Sequence, residues 1–299
     1  LGRRAVQTAY NRRDTRTAWL MLAPFLIFFV MFVLYPLVMT VVYSFTSYNM
    51  TQPMKWVGLK NYAKLLRDAV FHRAFVNTVV YALVSTAALS VLGFLTAAAL
   101  NRAQRAVRWI RTLMVFPYAT SMTAVSMIWL MIYDPTTGFL NKALRFLGLP
   151  TRQWLFDTGL ALGCLIFVHV WKNIGYCMII YLAGMQSVPP ELYEAATVDG
   201  ASEWQKLKSV TLPGIRPIAF FVMVTAMIEA FKTFTQVHVM TGGDPLYATT
   251  TIVHQIYQRG FTEFRMGYAS AMAVVLLVCV GALTAVNTRL NRRGDEVRP

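Results

Sequence analysis

The sequence predicts an all-α membrane protein with six transmembrane helices and a polar helical loop between the fourth and the fifth. Three observations carry that prediction. Of the 299 residues, 57% are hydrophobic and only 14% charged, whereas ordinary soluble domains carry about 25% charged residues. Apolar blocks long enough to cross about 30 Å of hydrocarbon alternate with polar stretches. The longest mixed polar run between two such blocks is Glu191–Pro213.

Residues 1–18 are polar and basic, with Arg3, Arg4, Arg12, Arg13 and Arg16, and form a short segment outside the membrane. The first apolar block, Trp19–Phe45, is too long for the core of a cleavable signal and reads as the first span. Its Pro24 and Pro36 are tolerable where neighbours re-satisfy the freed carbonyls. A polar loop, 46–74, follows, with a short amphipathic helix expected near Tyr62–Val70. The second span is Phe75–Leu100, rich in small residues that let helices pack closely. Arg102, Arg105, Arg108 and Arg111 then recur every three residues, ahead of a third span at Ile110–Tyr133.

Turn chemistry fills 134–157 (Asp134-Pro135, Gly138, Gly148-Leu149-Pro150), and the fourth span is Thr158–Leu182. In Glu191–Pro213 the acids Glu191, Glu194, Asp199 and Glu203 precede Lys206 and Lys208, the order a helix dipole favours. Gly200 divides the run, so a short helix, a turn and a second short helix are expected, with Asp199 capping the second. A fifth span at Gly214–Met240, an outer loop at Thr241–Arg265 and a sixth span at Met266–Val286 complete the 19–288 membrane domain. A basic tail, 289–299, ends the chain.

Six spans put both termini on one side. Of 28 Lys and Arg, 16 fall on that side and 10 on the other, Lys172 and Lys232 lying within spans. The positive-inside rule therefore places both termini and the 187–213 loop in the cytoplasm. The net charge of +15 does not indicate nucleic acid, because the basic residues sit at the ends of apolar blocks, where they fit topology signals and lipid headgroups.

Several chemistries are missing from the sequence. None of the eight lysines follows a glycine, so no P-loop can be built. Neither a Gly-x-Ser-x-Gly elbow nor a His-Glu-x-x-His helix occurs. Cys164, Cys177 and Cys279 sit in apolar blocks at spacings that fit no metal or redox motif. No catalytic residue and no metal ligand is expected.

Ionisable residues at membrane depth are costly and by default face the bundle interior or a watery cavity. Lys172 in the fourth span and Glu229 and Lys232 in the fifth are of this kind, with Glu229 and Lys232 on one face. On the functional reading the fourth and fifth spans line a solute path. Trp171 and Tyr176 then stack on sugar rings, and Asn173, Thr235 and Gln236 bind hydroxyls. On the structural reading Glu229–Lys232 is an ion pair, Lys172 an anchor, and the aromatics part of an interfacial belt.

The polar loop also carries a resemblance. Glu194-Ala195-Ala196, Gly200, Val210 and Leu212-Pro213 match, with the spacing intact, the signature of permease subunits of binding-protein-dependent ABC importers; the family often has Ile at Val210. Val188-Pro189, Val57-Gly58-Leu59-Lys60-Asn61-Tyr62, Phe116-Pro117-Tyr118, Val170-Trp171-Lys172 and Thr241-Gly242-Gly243 through Thr251 resemble its carbohydrate-type branch. The resemblance implies that Glu191, Glu194, Ala195, Ala196, Asp199, Gly200, Leu212 and Pro213 belong to a loop that docks on a cytoplasmic ATPase. It further implies a second permease subunit, an ATPase dimer that holds the ATP and magnesium, an extracytoplasmic solute-binding protein, and a bacterial or archaeal inner membrane. This chain itself would carry no cofactor. The solute implied is a sugar or oligosaccharide, with glycerol-phosphate-type solutes as the alternative. Thr241–Thr251 is either an outer gate or binding-protein contact, or a plain turn. From another class, an ion-coupled secondary transporter would explain Glu229 and Lys232 but not the loop signature.

Overall fold

A computed structural model describes the backbone of residues 2–101 and 105–295 and the side chains of 15–101 and 107–289. The side chains of Arg3, Arg4, Arg12, Arg13, Arg102, Arg105, Arg292, Arg293 and Arg298 lie outside the described residues. Among the described residues the architecture is helical, with one isolated β-bridge, Thr46 to Trp56. Four helices are long and apolar enough to cross a membrane, or up to six if each of two bent pairs counts as one span.

Residues 1–64 and 259–275 form one compact unit. Its long helix runs Gly2–Phe29, passes a π-helical turn at Val30–Leu34 and continues as Tyr35–Ser44. Pro36 has no N–H for the carbonyl four residues back, and the ladder opens there to an i→i−5 bond from Tyr35 to Val30. Asn61 donates to the Ser44 and Thr46 carbonyls at 2.8 Å, tying the following loop back to the helix end. The short helix of this loop is Lys60–Leu65, not Tyr62–Val70. Asp68 accepts from the backbone N–H of Val70 and Phe71 (2.9 and 3.2 Å), so a new helix already starts at Ala69.

Residues 65–258 and 276–299 form the second unit, organised on the helices Ala69–Ala99 and Ala161–Gln186. One core cluster gathers Tyr81, Leu165, Val168, Phe231 and Val237; a second gathers Leu89, Met178, Tyr181, Ile215 and Val222. Gly175 decides one crossing: a Cβ there would collide with the Met114 carbonyl, so only glycine lets the two backbones touch.

Two predicted spans are broken. The third is Arg105–Ala119 and Met122–Tyr133, bent by 100°. Pro117 weakens the last turn of the first piece, Thr120 bonds back to the Pro117 carbonyl at 2.6 Å, and Ser121 is extended. The fifth is Arg216–Phe231, a break at 232–234, and Thr235–Met240. Tertiary bonds hold that break open, since the Thr233 carbonyl accepts from Thr251 (3.2 Å) and the Thr233 hydroxyl donates to Tyr81 (3.4 Å).

Candidate functional site: a cavity and an exposed hairpin

Between the helices Ala161–Gln186 and Arg216–Phe231 lies a cavity of about 300 Å³. Asn173, Tyr176 and Glu229, three of the candidate path residues, line it together with His169, Tyr118 and Thr225. Tyr176 stacks on Tyr118 with centroids 4.5 Å apart and planes within 10°. The result is a flat aromatic wall of the kind that packs against sugar faces. Asn173 returns its amide to the His169 carbonyl at 2.8 Å, which leaves its side-chain oxygen out of that bond. His169 is buried, and its Nε2 has no partner. An unsatisfied buried nitrogen calls for a water or a hydroxyl.

The other predicted path residues go elsewhere. Lys172 is buried and donates to the carbonyls of Pro117 (3.2 Å) and Tyr118 (2.9 Å). Both carbonyls lie where the third-span helix breaks, the Pro117 one also accepting from Thr120, so a cation there serves helix C-terminal acceptors and suits the dipole. Lys172 is an anchor. Gln236 is fully buried and clamps Tyr81 (2.6 Å) and the Leu165 carbonyl (2.8 Å). Trp171 packs edge-on against Trp129 at 5.5 Å, and Thr235 only opens the helix Thr235–Met240. Glu229 and Lys232 pair at 2.8 Å, and both side chains are well exposed on this chain (67% and 59%). The helix ends one residue before Lys232, and Glu229 stands at the cavity wall.

His169 and Thr225 were not singled out by sequence. His169, Asn173 and Tyr176 stand at i, i+4 and i+7, a polar stripe on a mostly apolar helix, and that spacing was the available signal.

The segment after the fourth-span helix forms a stiff hairpin. Pro190–Val198 is its first helix, with proline at the start and Asp199 at the C-terminus. Gly200 takes φ +75°, and Ala201 bonds back to the Ala196 carbonyl at 2.9 Å, closing the turn. Asp199 does not cap the second helix. Ser202 does, in a capping box: its hydroxyl accepts from Gln205 N–H (3.4 Å) while Gln205 accepts from Ser202 N–H (2.7 Å). Asp199 is spent terminating the first helix, three residues too early. The second helix runs from Glu203 through a π-helical turn at Leu207–Thr211 to Leu212–Gly214, then bends by 67° into Arg216–Phe231.

Tyr193 and Thr211 join the two arms through their hydroxyls at 3.1 Å, and Val188 sits against Gly214. Glu191, Glu194, Ala195, Asp199, Gly200 and Leu212 are exposed, while Ala196 and Pro213 are half-buried. Glu191, Glu194, Ala195 and Val198 share one outer helix face. Val198, which belongs to the Val198-Asp199-Gly200-Ala201 run that resembles the family, and Trp204, which the sequence did not single out, are 88% and 72% exposed beside the turn. Large apolar side chains are thus displayed on a braced turn.

The comparisons with known proteins agree with this architecture. Residues 89–295 match the family described as binding-protein-dependent transport system inner membrane component. Over 284 residues the chain is 36% identical to a probable ABC transporter permease protein, YurN, of Bacillus subtilis (strain 168), covering 93% of this chain and 97% of that one. Over 241 residues it is 34% identical to the sn-glycerol-3-phosphate transport system permease protein UgpA of Yersinia pestis, covering 80% and 81%. Among solved structures, a chain of a bacterial ABC transporter involved in the import of the acidic polysaccharide alginate superposes with a TM-score of 0.85 at 25% identity, covering 96% of this chain and 99% of that chain. The chain therefore belongs to the family of inner membrane components of binding-protein-dependent transport systems, the permeases of ABC transporters.

Proposed function

We propose that the chain is the transmembrane subunit of an ATP-driven importer for a sugar or oligosaccharide, and that the hairpin Pro190–Gly214 is its coupling element. The observation that carries this reading is the hairpin itself, exposed, cross-braced, and continuous with both helices that line the cavity. A push on it reaches His169, Asn173 and Tyr176 through one helix and Thr225 and Glu229 through the other. Closure of an ATPase dimer, which holds the ATP and magnesium, is thereby turned into a tilt of the cavity walls. In this reading six spans place both termini in the cytoplasm, with 1–18 and 289–299 as flanking segments, 19–288 as the permease domain and 187–213 as the coupling loop. The bend at Ala119–Met122 and the break at 232–234 then count as interruptions within spans.

The remaining partners are part of the same proposal. A second permease closes the far side of the cavity, and an extracytoplasmic solute-binding protein delivers the solute, as in the solved alginate transporter complex with its periplasmic protein. The stacked Tyr118–Tyr176 wall and the polar stripe support a sugar. A glycerol-phosphate-type solute is the second reading, favoured by the identity to the UgpA permease. The chain's own residues bind, orient and transmit motion; they hydrolyse nothing.

The test is Glu194→Ala in the assembled importer. Transport and binding-protein-stimulated ATP hydrolysis are expected to fall together while membrane insertion is unchanged. Normal uptake by the variant would refute the coupling role.

A further inference from the structure

Residues 134–160, between the broken third-span pair and the fourth-span helix, are built as a platform. Asp134 Oδ1 accepts from the backbone N–H of Thr136 (2.9 Å) and Thr137 (2.7 Å) and from both hydroxyls (2.8 and 2.9 Å). Asn141 is fully buried. Its amide donates to the Pro135 and Arg152 carbonyls at 2.9 Å, and its oxygen accepts from Arg152 N–H (3.1 Å) and Trp154 Nε1 (3.0 Å). Arg145 adds a bond to the Thr136 carbonyl at 2.7 Å. These bonds fix the eight-residue helix Phe139–Phe146 in one orientation.

That orientation displays apolar rings. Phe139 is 69% and Phe146 90% exposed, with Lys142 exposed between them. The three stand at i, i+3 and i+7, on one face. Leu147 and Leu149 extend the exposed apolar surface beyond the helix end. Beside the helix, Leu140 joins Trp129, Tyr133, Trp154 and Phe167 in lining an aromatic groove of about 410 Å³. The platform starts directly after Tyr133, where one apolar helix ends, and stops at Ala161, where a helix long enough to cross the membrane begins. In the six-span reading proposed above, on which this inference rests, that places it at the outer bilayer surface.

We propose that this platform docks on the phospholipid of the outer membrane face: Phe139 and Phe146 enter the acyl region and Lys142 meets a headgroup phosphate. An apolar face that carries a central cation, next to an aromatic belt, has the chemistry of an interfacial helix. A protein partner would have to bring an acid to Lys142, whereas phosphates are present all along the bilayer surface. The platform's own acids are engaged, Asp134 as above and Asp157 by the N–H groups of Gly159 (2.7 Å) and Leu160 (3.2 Å).

The experiment places nitroxide labels at Phe139→Cys, Phe146→Cys and Lys142→Cys in a Cys279→Ser background. The chain is purified with its partner subunits into nanodiscs of phosphatidylcholine and phosphatidylglycerol. All three positions are exposed, so the labels leave the core untouched. The expected result is high collision with oxygen and low collision with a water-soluble nickel chelate at 139 and 146, with an oxygen-to-nickel ratio several-fold above that at 142. High nickel access at 139 and 146 would place the face in water. Low access to both reagents would place it under another subunit. Either result overturns the proposal.

Discussion

Replacing Gly200 by valine isolates the geometry of the hairpin turn from every other contact. The residue has φ +75°, and a Cβ there meets nothing within 4 Å, so the penalty is chiefly conformational. A non-glycine residue in the left-handed region costs about 1–2 kcal/mol, and a β-branched one belongs at the upper end. That corresponds to a factor of about 5–30 in the population of the turned hairpin. Asparagine visits this region readily, so Gly200→Asn should restore most of the loss. The assay is ATP hydrolysis stimulated by the loaded binding protein in the reconstituted importer, read beside the amount of assembled complex. The expected order is wild type, then Asn, then Val. Equal coupling in the Val variant, or an Asn variant as poor as Val, would refute the reasoning.

Other expectations rest on the packing. Lys172→Met strands the Tyr118 carbonyl and takes one bond from the Pro117 carbonyl, and thermal unfolding in detergent should report a loss of about 1–3 kcal/mol. Gly175→Ala overpacks the contact with Met114, at about 1–3 kcal/mol, and is checked by the same melt and by the yield of folded protein. Gln236→Leu removes the bridge between Tyr81 and the Leu165 carbonyl, so hydrogen exchange near the break at 232–234 should rise. Asp134, held well below the usual carboxylate range by the Thr137 and Thr136 hydrogen bonds, stabilises its turn fully above the ordinary carboxylate pKa. Because the folded value is depressed, that stabilisation is lost as pH falls through it, and Asp134→Ala should remove the acid sensitivity of hydrogen exchange at Thr136 and Thr137.

Much of the fold was legible because the bilayer requires long apolar helices, and such blocks stand out in a sequence. The bends did not show. Apolar residues predominate on both sides of Ala119–Met122, and what marks the break is Pro117 together with an anchor 55 residues away, Lys172. The turn at Gly200 was readable from one glycine in a polar run, but the cap was assigned to Asp199 when Ser202 and Gln205, three apart, carried the capping-box pattern. For the cavity, residue type misled. Lys172 and Gln236 looked functional because they are polar within spans, yet both serve helix ends and helix crossings. The stripe of His169, Asn173 and Tyr176 was written in the spacing.

The central claim is that an external ATPase drives the hairpin from the cytoplasmic side. It is tested most directly by placing a cysteine at Val198, the exposed residue beside the turn. A short bifunctional thiol reagent is then added to membrane vesicles of each orientation. The account predicts a covalent adduct with a P-loop ATPase, formed where the cytoplasmic face is open to the reagent, with a yield that changes when nucleotide is supplied. Modification only from the opposite face, with no ATPase adduct, would contradict it.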